Sequence, residues 1–161
     1  MAGDTWQSVA VERVASPTAW QQHMRVRCAV FIDEQRVPPH EEVDHHDGLG
    51  ALHAVPPSAL HFLATVDRQP AGAGRCVIKS EGTAKVGRIA TLPQFRRKGV
   101  GRAIMHCIHE HAARHGCVKS TLGAQLEAVP FYERLGYTVT SGVVFLDAGI
   151  EHVDMHCELT P

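Results

Sequence analysis

The stretch from Ile89 to Met105 holds the residues whose types and spacing point most directly to chemistry. A strand reads as ending at Leu92. A short loop then carries Arg96, Arg97 and Lys98, and Gly99, Val100 and Gly101 open a helix that continues through Arg102. Unpaired backbone N–H groups at a helix N-terminus point outward, and the helix dipole favours an anion there. The glycines admit a ligand close to the backbone, and the preceding cations add charge. The arrangement suits a pyrophosphate. A Walker A loop needs Lys-Ser/Thr directly after its second glycine, whereas Gly101 is followed by Arg102 and Ala103. A dinucleotide fingerprint needs a third glycine where Ile104 stands. Taken alone, one arginine and two glycines also describe an ordinary helix start, so the surroundings must decide.

A second informative stretch runs from Gln125 to Tyr137. Phe131 and Leu135 are four apart and can face the core together, while Tyr132 is rotated by about 100° and can point elsewhere. A third, acidic stretch holds Glu34, Glu41, Glu42 and Asp44, with His45, His46 and His53 nearby. Plain solvation is the simpler account of each carboxylate singly; together they would attract a cation. Twelve histidines raise the question of a metal. In the cluster from His106 to His115, His111 and His115 are four apart. The zinc-protease pattern nevertheless fails, because Ala113 stands three places after Glu110, where the second histidine belongs. Solvated helix-face histidines, without metal, are the expectation.

The elements that must position these residues follow from periodicity. Val9–Val14 alternates as a strand. Ser16 and Pro17 start a helix as N-cap and first residue, and Trp20, Met24, Cys28, Phe31 and Ile32 recur at helical spacing. Pro38 to Val55 reads as a loop with one helical turn. Strands follow at Leu60–Val66, Ala71–Ser80 and Thr83–Leu92, separated by turns at Asp67–Pro70 and Glu81–Gly82. A helix over Gly99–His115 carries the apolar stripe Val100, Ala103, Ile104, Cys107 and Ile108. Its other face is Arg102, His106, His109, Glu110 and Arg114. A strand at Val118–Ala124, a helix at Glu127–Leu135, and strands at Tyr137–Phe145 and His152–Leu159 complete the order. The expectation is an α/β fold: a mixed central sheet of about seven strands flanked by helices.

At 161 residues the chain has room for one domain and not two, so residues 1–161 are expected to form a single domain. Hydrophobic residues make up 44% and charged residues 20%, which suits a globular protein. A formal net charge of -1 argues against nucleic acid as a main partner. The opening residues lack a basic region followed by an apolar one, and no apolar run approaches the ~18 residues of a membrane span. The five cysteines show no C-x-x-C pattern and read as reduced thiols of a cytoplasmic protein. Oligomeric state is left open, with a homodimer as the common default.

The surroundings of the pyrophosphate loop bring a resemblance. Arg96 to Gly101, as R-x-x-G-x-G after a strand, resembles the acetyl-CoA signature of the GNAT N-acetyltransferase superfamily. Gln125 to Tyr137 is similar to its second motif, N-x-x-A-x-x-F-Y-x-x-x-G-F/Y, with glutamine in place of the first asparagine. Val30–Pro38, Glu41–Asp44 and Gly149–Met155 look like a branch of small, mostly bacterial members, so the resemblance covers nearly the whole chain. It implies the acyl-CoA N-acyltransferase (GNAT) fold and direct acetyl transfer from acetyl-CoA to an amine in a ternary complex. It also implies that the strand entering the loop splays from its neighbour and offers backbone groups of Ala90, Thr91 and Leu92 to the pantetheine and thioester. Arg96, Arg97, Lys98, Gly99, Val100, Gly101 and Arg102 would take the pyrophosphate, and Gln125 would lie near the pantetheine arm. An N–H on the strand would stabilise the oxyanion. Tyr132, a phenol protonated at neutral pH, is the expected acid for the leaving thiolate. Glu34, Glu41, Glu42 and Asp44 are candidate acceptor-side groups, ahead of His45, His46 and His53. Two alternatives share the fold: a non-catalytic acyl-CoA-binding module, and a transferase for another acyl donor. A nucleotide hydrolase is argued against by the missing Lys-Ser/Thr. The amine itself, whether small molecule or protein lysine, is not legible.

Overall fold

A computed structural model describes residues 8–54 and 58–160; the last residue of the expected Pro38–Val55 loop lies outside them. The strands are β1 (Val9–Arg13), β2 (Ala59–Val66), β3 (Gln69–Lys79), β4 (Thr83–Thr91), β5 (Lys119–Gln125), β6 (Thr138–Val139), β7 (Phe145–Asp147) and β8 (Ile150–Glu158). They form one sheet in the order β1-β2-β3-β4-β5-β8-β6, with β7 also paired to β8. Every pairing is antiparallel except β4 with β5. The helices are α1 (Pro17–Arg27), α2 (Pro39–Glu42), α3 (Val100–Arg114) and α4 (Val129–Glu133), and a π-helical stretch, Cys28–Glu34, continues α1. The expected α/β architecture is present, with one more strand than the alternation suggested.

That extra strand is a correction. The stretch read as one strand over Tyr137–Phe145 is two short ones. Pairing to β8 persists as far as Thr140, whose N–H donates to the Asp154 carbonyl at 2.8 Å. Gly142, at φ 70°, then turns the chain out of the sheet, and β7 rejoins β8 further along. A second correction concerns α1. Ser16 caps it as expected, accepting from the Ala19 N–H at 3.1 Å. Its inward face, however, is Ala19, His23, Val26 and Arg27, not the stripe through Trp20 and Met24. The helix is rolled because a buried charge cluster, described below, takes two polar side chains inward.

The core is asymmetric about β3. Gly72 and Gly74 turn toward α3, so closely that a Cβ on Gly72 would stand 2.7 Å from Val100 Cγ1 and one on Gly74 2.7 Å from Ile104 Cγ2. Val100, Ile104, Met105, Ile108 and Ala112 of α3 are buried against that face, each large side chain contributing about 1.5–3 kcal/mol. Ala73 turns the other way and packs with Val26, Val30 and Ala90. The two glycines therefore lock α3 onto the sheet and fix where its N-terminus lies relative to the end of β4. Among the described residues no helix is long and apolar enough to cross a membrane.

Two histidines of the interior set the acid limit of the fold. His23 is 0% exposed, with Nδ1 2.8 Å from the Phe62 carbonyl. His61 is 1% exposed, with Nε2 3.0 Å from the His46 carbonyl oxygen, and its Nδ1 has no hydrogen-bond partner among the described residues. Burial pushes His23 down to about 3 and His61 down to about 4. Unfolding returns both to about 6.5. Between those values the unfolded chain holds more protons, so stability present above pH 6.5 is lost as the pH falls toward 4. Burial raises Glu42, which opposes the trend in part. Urea unfolding at successive pH values is expected to show a loss of about 1–3 kcal/mol per pH unit between pH 6 and 4.5. A flat profile there would mean that neither histidine is kept neutral by the fold.

Candidate active site

The site begins where the parallel pair β4–β5 comes apart. Its ladder holds for only four residue pairs, Thr83–Val86 against Lys119–Leu122. Beyond them β4 carries a bulge: Gly87 pairs with Arg75 and Ala90 with Ala73, leaving Arg88 and Ile89 opposite Gly74 alone. Arg88 sits at φ 56°. A bulge bends its strand and increases local twist, so the second half of β4 leaves β5. Its edge toward β5, through Ala90 and Thr91, makes no ladder bond with that strand.

The open wedge leads to the N-terminus of α3. A tight turn at Pro93–Phe95, anchored by the buried Phe95 ring, reverses the chain. Arg97 at φ 62° and Gly99 at φ 80° then bring it into the helix. Among the described residues no side chain caps the N-terminus of α3. The first bond on entering the helix is from the Ala103 N–H to the Gly99 carbonyl at 3.0 Å, so the N–H groups of Val100, Gly101 and Arg102 have no partner one turn back. A Cβ on Gly99 would meet nothing within 4 Å, leaving that side of the loop open to a ligand. Arg97 and Arg102 are exposed beside these N–H groups, and the whole is a fit cradle for phosphate oxygens. Arg96 is engaged differently. Its Nε donates to the Thr91 carbonyl at 3.0 Å and its Nη2 to both carboxylate oxygens of Glu34 at 2.9 Å. It braces the loop against the end of the π-helical stretch.

Tyr132 closes the other side of the wedge. Phe131 lies under the first turn of α3, and a Cβ on Gly101 would stand 3.2 Å from its Cζ. That contact sets α4 against the phosphate cradle. The Tyr132 ring, 8% exposed, is held edge-on by Phe131 at 5.0 Å and Tyr137 at 5.8 Å. It is more deeply buried than Phe131 or Leu135, the reverse of what the helical spacing suggested. Burial pushes its phenol up to about 12, so it stays protonated at neutral pH. The hydroxyl makes no hydrogen bond to a described residue, and the side chain lines the cleft.

That cleft, about 580 Å³, runs from the wedge to the acidic loop. Phe31 and Gln35 reach it from the π-helical stretch, whose wide turn closes with the Gln35 N–H on the Val30 carbonyl at 3.0 Å. Gln125, at the end of β5, donates from Nε2 to Gln35 Oε1 at 2.8 Å and so ties the two walls together. The carboxylates are mostly spoken for. Arg27, wholly buried, bonds Glu42 Oε1 at 2.8 Å and Asp47 Oδ1 at 2.7 Å. Arg75 bonds Asp44 at 2.7 Å, and Arg88 lies 3.2 Å from Glu42 Oε2. Against the cost of burial, hydrogen bonding and the charge of Arg27 hold the Asp47 carboxyl well below the usual range. Burial likewise opposes, and the Arg75 hydrogen bond reverses, the shift of Asp44, which is also lowered. Burial and the neighbouring Arg75 depress Arg88.

A family description, "Acetyltransferase (GNAT) domain", matches residues 44–159. This chain belongs to the GNAT acetyltransferase family. It is similar to the uncharacterized N-acetyltransferase YjcF of Bacillus subtilis (strain 168), with 40% identity over 130 residues, or 81% of this chain and 86% of that one. The crystal structure of a Lactobacillus plantarum protein superposes with a TM-score of 0.82 at 25% identity, covering 95% of this chain and 99% of that one. An acyl-CoA N-acyltransferase from Pseudomonas aeruginosa shares the fold, with a TM-score of 0.74 at 24% identity over 93% and 98% of the two chains. The sheet with its splayed parallel pair is thus the GNAT fold.

Set against the GNAT motifs, the site residues fall into two groups. Gln125 and Tyr132 line the cleft, while the main-chain positions Ala90, Thr91 and Leu92 lie past the point where the β4–β5 ladder ends and lead into the loop Arg97 to Arg102. The four acids Glu34, Glu41, Glu42 and Asp44 do not form a free anionic patch: Glu42 and Asp44 are paired with arginines and Glu34 with Arg96, and of the four only Glu41 is an exposed carboxylate on the cleft wall without an arginine partner among the described residues. The His45 and His46 rings lie 3.9 Å apart on that wall, tilted by 40°, while His53 is exposed outside it. Burial and the charge of His45 lower His46. Arg27, Arg75, Arg88 and Asp47 escaped the sequence reading; arginines inside otherwise apolar segments were their one visible signal. Along α3, His109 is not on a solvated face: its Nε2 is 2.6 Å from the Tyr137 hydroxyl, which is 2.7 Å from Ser120 Oγ. His111 packs on Phe62. Among the described residues no group of three or more His, Cys, Asp or Glu side chains is set to hold a metal, and all five cysteines are unpaired.

Proposed function

We propose that the protein transfers the acetyl group of acetyl-CoA to an amine, directly, within a ternary complex in the cytoplasm. The observation that carries this reading is the wedge between β4 and β5, bounded by an uncapped helix N-terminus on one side and a buried, unbonded phenol on the other. The N–H groups of Val100, Gly101 and Arg102, with the charges of Arg97, Lys98 and Arg102, bind the pyrophosphate. The free edge of β4 through Ala90, Thr91 and Leu92 holds the pantetheine and offers an N–H to the developing oxyanion. Gln125 keeps an amide beside the pantetheine arm, and Arg96 with Glu34 keeps the loop in shape. Tyr132 supplies the proton that the departing thiolate needs.

Thermal unfolding with CoA, acetyl-CoA, ATP and NAD tests the donor. A ligand of the native state alone raises stability by about 2.7 kcal/mol at a hundred times its Kd. Concentration-dependent shifts with CoA and acetyl-CoA, and none with ATP or NAD, are the expected result. Absence of any shift with CoA esters up to millimolar concentration would remove the phosphate cradle from the account. Thiol release from acetyl-CoA across amino acids, polyamines, aminoglycosides and lysine peptides then identifies the acceptor.

A further inference from the structure

His152 is the one cleft side chain that combines deep burial with an unused basic nitrogen. It is 8% exposed and lines the same cleft as Tyr132. In the sheet it stands directly opposite Gln125 of β5 and Phe145 of β7. Its ring stacks on Phe145, with centroids 5.7 Å apart and planes at 22°. The two rings lie against Gly123, where a Cβ would stand 3.3 Å from Phe145 Cζ and 3.9 Å from His152 Cδ2. Nδ1 is 2.7 Å from the Ile150 carbonyl oxygen. A carbonyl only accepts, so Nδ1 carries the hydrogen and the lone pair of the neutral ring is on Nε2. Nε2 makes no hydrogen bond to a described residue. The stacking and the carbonyl fix both ring orientation and tautomer, which is how a base is held ready rather than how a surface histidine is spent.

We propose that His152 Nε2 is the general base that takes a proton from the acceptor's ammonium group; the inference rests on the transferase reading above. The ammonium gives one proton to Nε2, forming imidazolium and a free amine. The amine lone pair forms the C–N bond at the thioester carbon. As the C–S bond breaks, the Tyr132 hydroxyl protonates the sulfur, the excess proton on nitrogen restores the phenol through water, and the imidazolium releases its proton to solvent. β5 presents no titratable group at Gly123 to Gln125. The titratable groups that share the cleft wall with the ring include Asp154 on the same face of β8, Asp147 on β7, Tyr132 on α4, and His45 and His46.

Two measurements test this. In long-range proton–nitrogen spectra of the full-length labelled protein, the His152 signals, assigned by their loss in His152→Gln, are expected to show a protonated Nδ1 and a bare Nε2. The opposite tautomer overturns the proposal, whatever the turnover. Acetylation is then followed against pH with benzylamine, an ammonium at neutral pH, and aniline, already neutral. His152→Gln is expected to lower kcat/KM for benzylamine about 100-fold or more at pH 7, to erase the acidic limb of the wild-type profile, and to spare aniline acetylation and acetyl-CoA binding. An acidic limb unchanged in His152→Gln, or equal losses for both amines, overturns this inference alone. If the wild-type protein acetylates neither probe nor any screened amine, the transferase reading falls and this inference with it.

Discussion

Tyr132→Phe is expected to lower kcat by about 10²–10⁴-fold and to leave the Kd for acetyl-CoA nearly unchanged. The substitution is narrow. The ring keeps its edge contacts with Phe131 and Tyr137, and among the described residues the lost oxygen has no hydrogen-bond partner whose bond must also be broken. Burial pushes the phenol up to about 12, which keeps its proton in place across the working pH range until the departing thiolate takes it. The expected loss therefore falls on a group used only while the C–S bond breaks, and binding, which depends on the loop and on β4, is untouched. Single-turnover acetyl transfer in a quenched-flow experiment, beside a thermal-shift titration, separates the two. An unchanged single-turnover rate would remove Tyr132 from the chemistry. A parallel loss of affinity would make it a binding residue.

The second large effect is on stability. Arg27→Met is expected to destabilise the fold by about 3–5 kcal/mol, because it strips the partner from buried carboxylates. Arg27 is 0% exposed, its Nε bonds Glu42 and its Nη1 and Nη2 bond Asp47. Methionine preserves most of the aliphatic volume, so packing loss is a minor part of the cost. Adding Asp47→Asn to Arg27→Met is expected to restore part of the loss, since the two substitutions share one interaction and cannot add. Urea unfolding of the wild type, the singles and the double variant closes the cycle. A loss below about 1 kcal/mol for Arg27→Met would mean that the cluster is open to water and contributes only as surface pairs do. The same cluster extends to the cleft through Arg75 and Arg88, which pair with Asp44 and Glu42 on its wall.

The regions that were legible before folding are those in which local chemistry and local geometry coincide. The loop from Arg96 to Gly101 needs only a strand, a turn and a helix in succession, and all its N–H groups belong to neighbouring residues. Helix α3 announces itself by a 3.6-residue stripe, and β2, β3 and β4 by runs bounded with turn residues. The hairpin joining β2 to β3 even places Asp67 and Arg68 at φ 48° and 68°, within the stretch read as a turn. Errors arose where a segment's pattern was set by a distant partner. The inward face of α1 could not be read from Trp20 and Met24, because His23 turns in to reach the Phe62 carbonyl and Arg27 to reach Asp47, residues 39 and 20 positions away. Alternation from Tyr137 to Phe145 suggested one strand, while Gly142 and the length of β8 made two.

By itself, then, the sequence determined an α/β chain with a glycine-rich, cation-flanked helix start, a tyrosine-bearing helix about thirty residues later, and the order of elements that brings them to one sheet. Those are properties of short range, carried by glycines, cations and periodicity. Only the tertiary structure decided which carboxylates are already paired, that Arg96 braces Glu34 while Arg97 stays exposed, and that His152 comes to stand opposite Gln125 with one nitrogen bound and the other unused. Each of these depends on which strand lies beside which, and on the bulge that parts β4 from β5 after four residue pairs. A charge finds its partner, and a histidine its tautomer, only when chain segments far apart in sequence pack together and exclude water. No spacing along the chain encodes that.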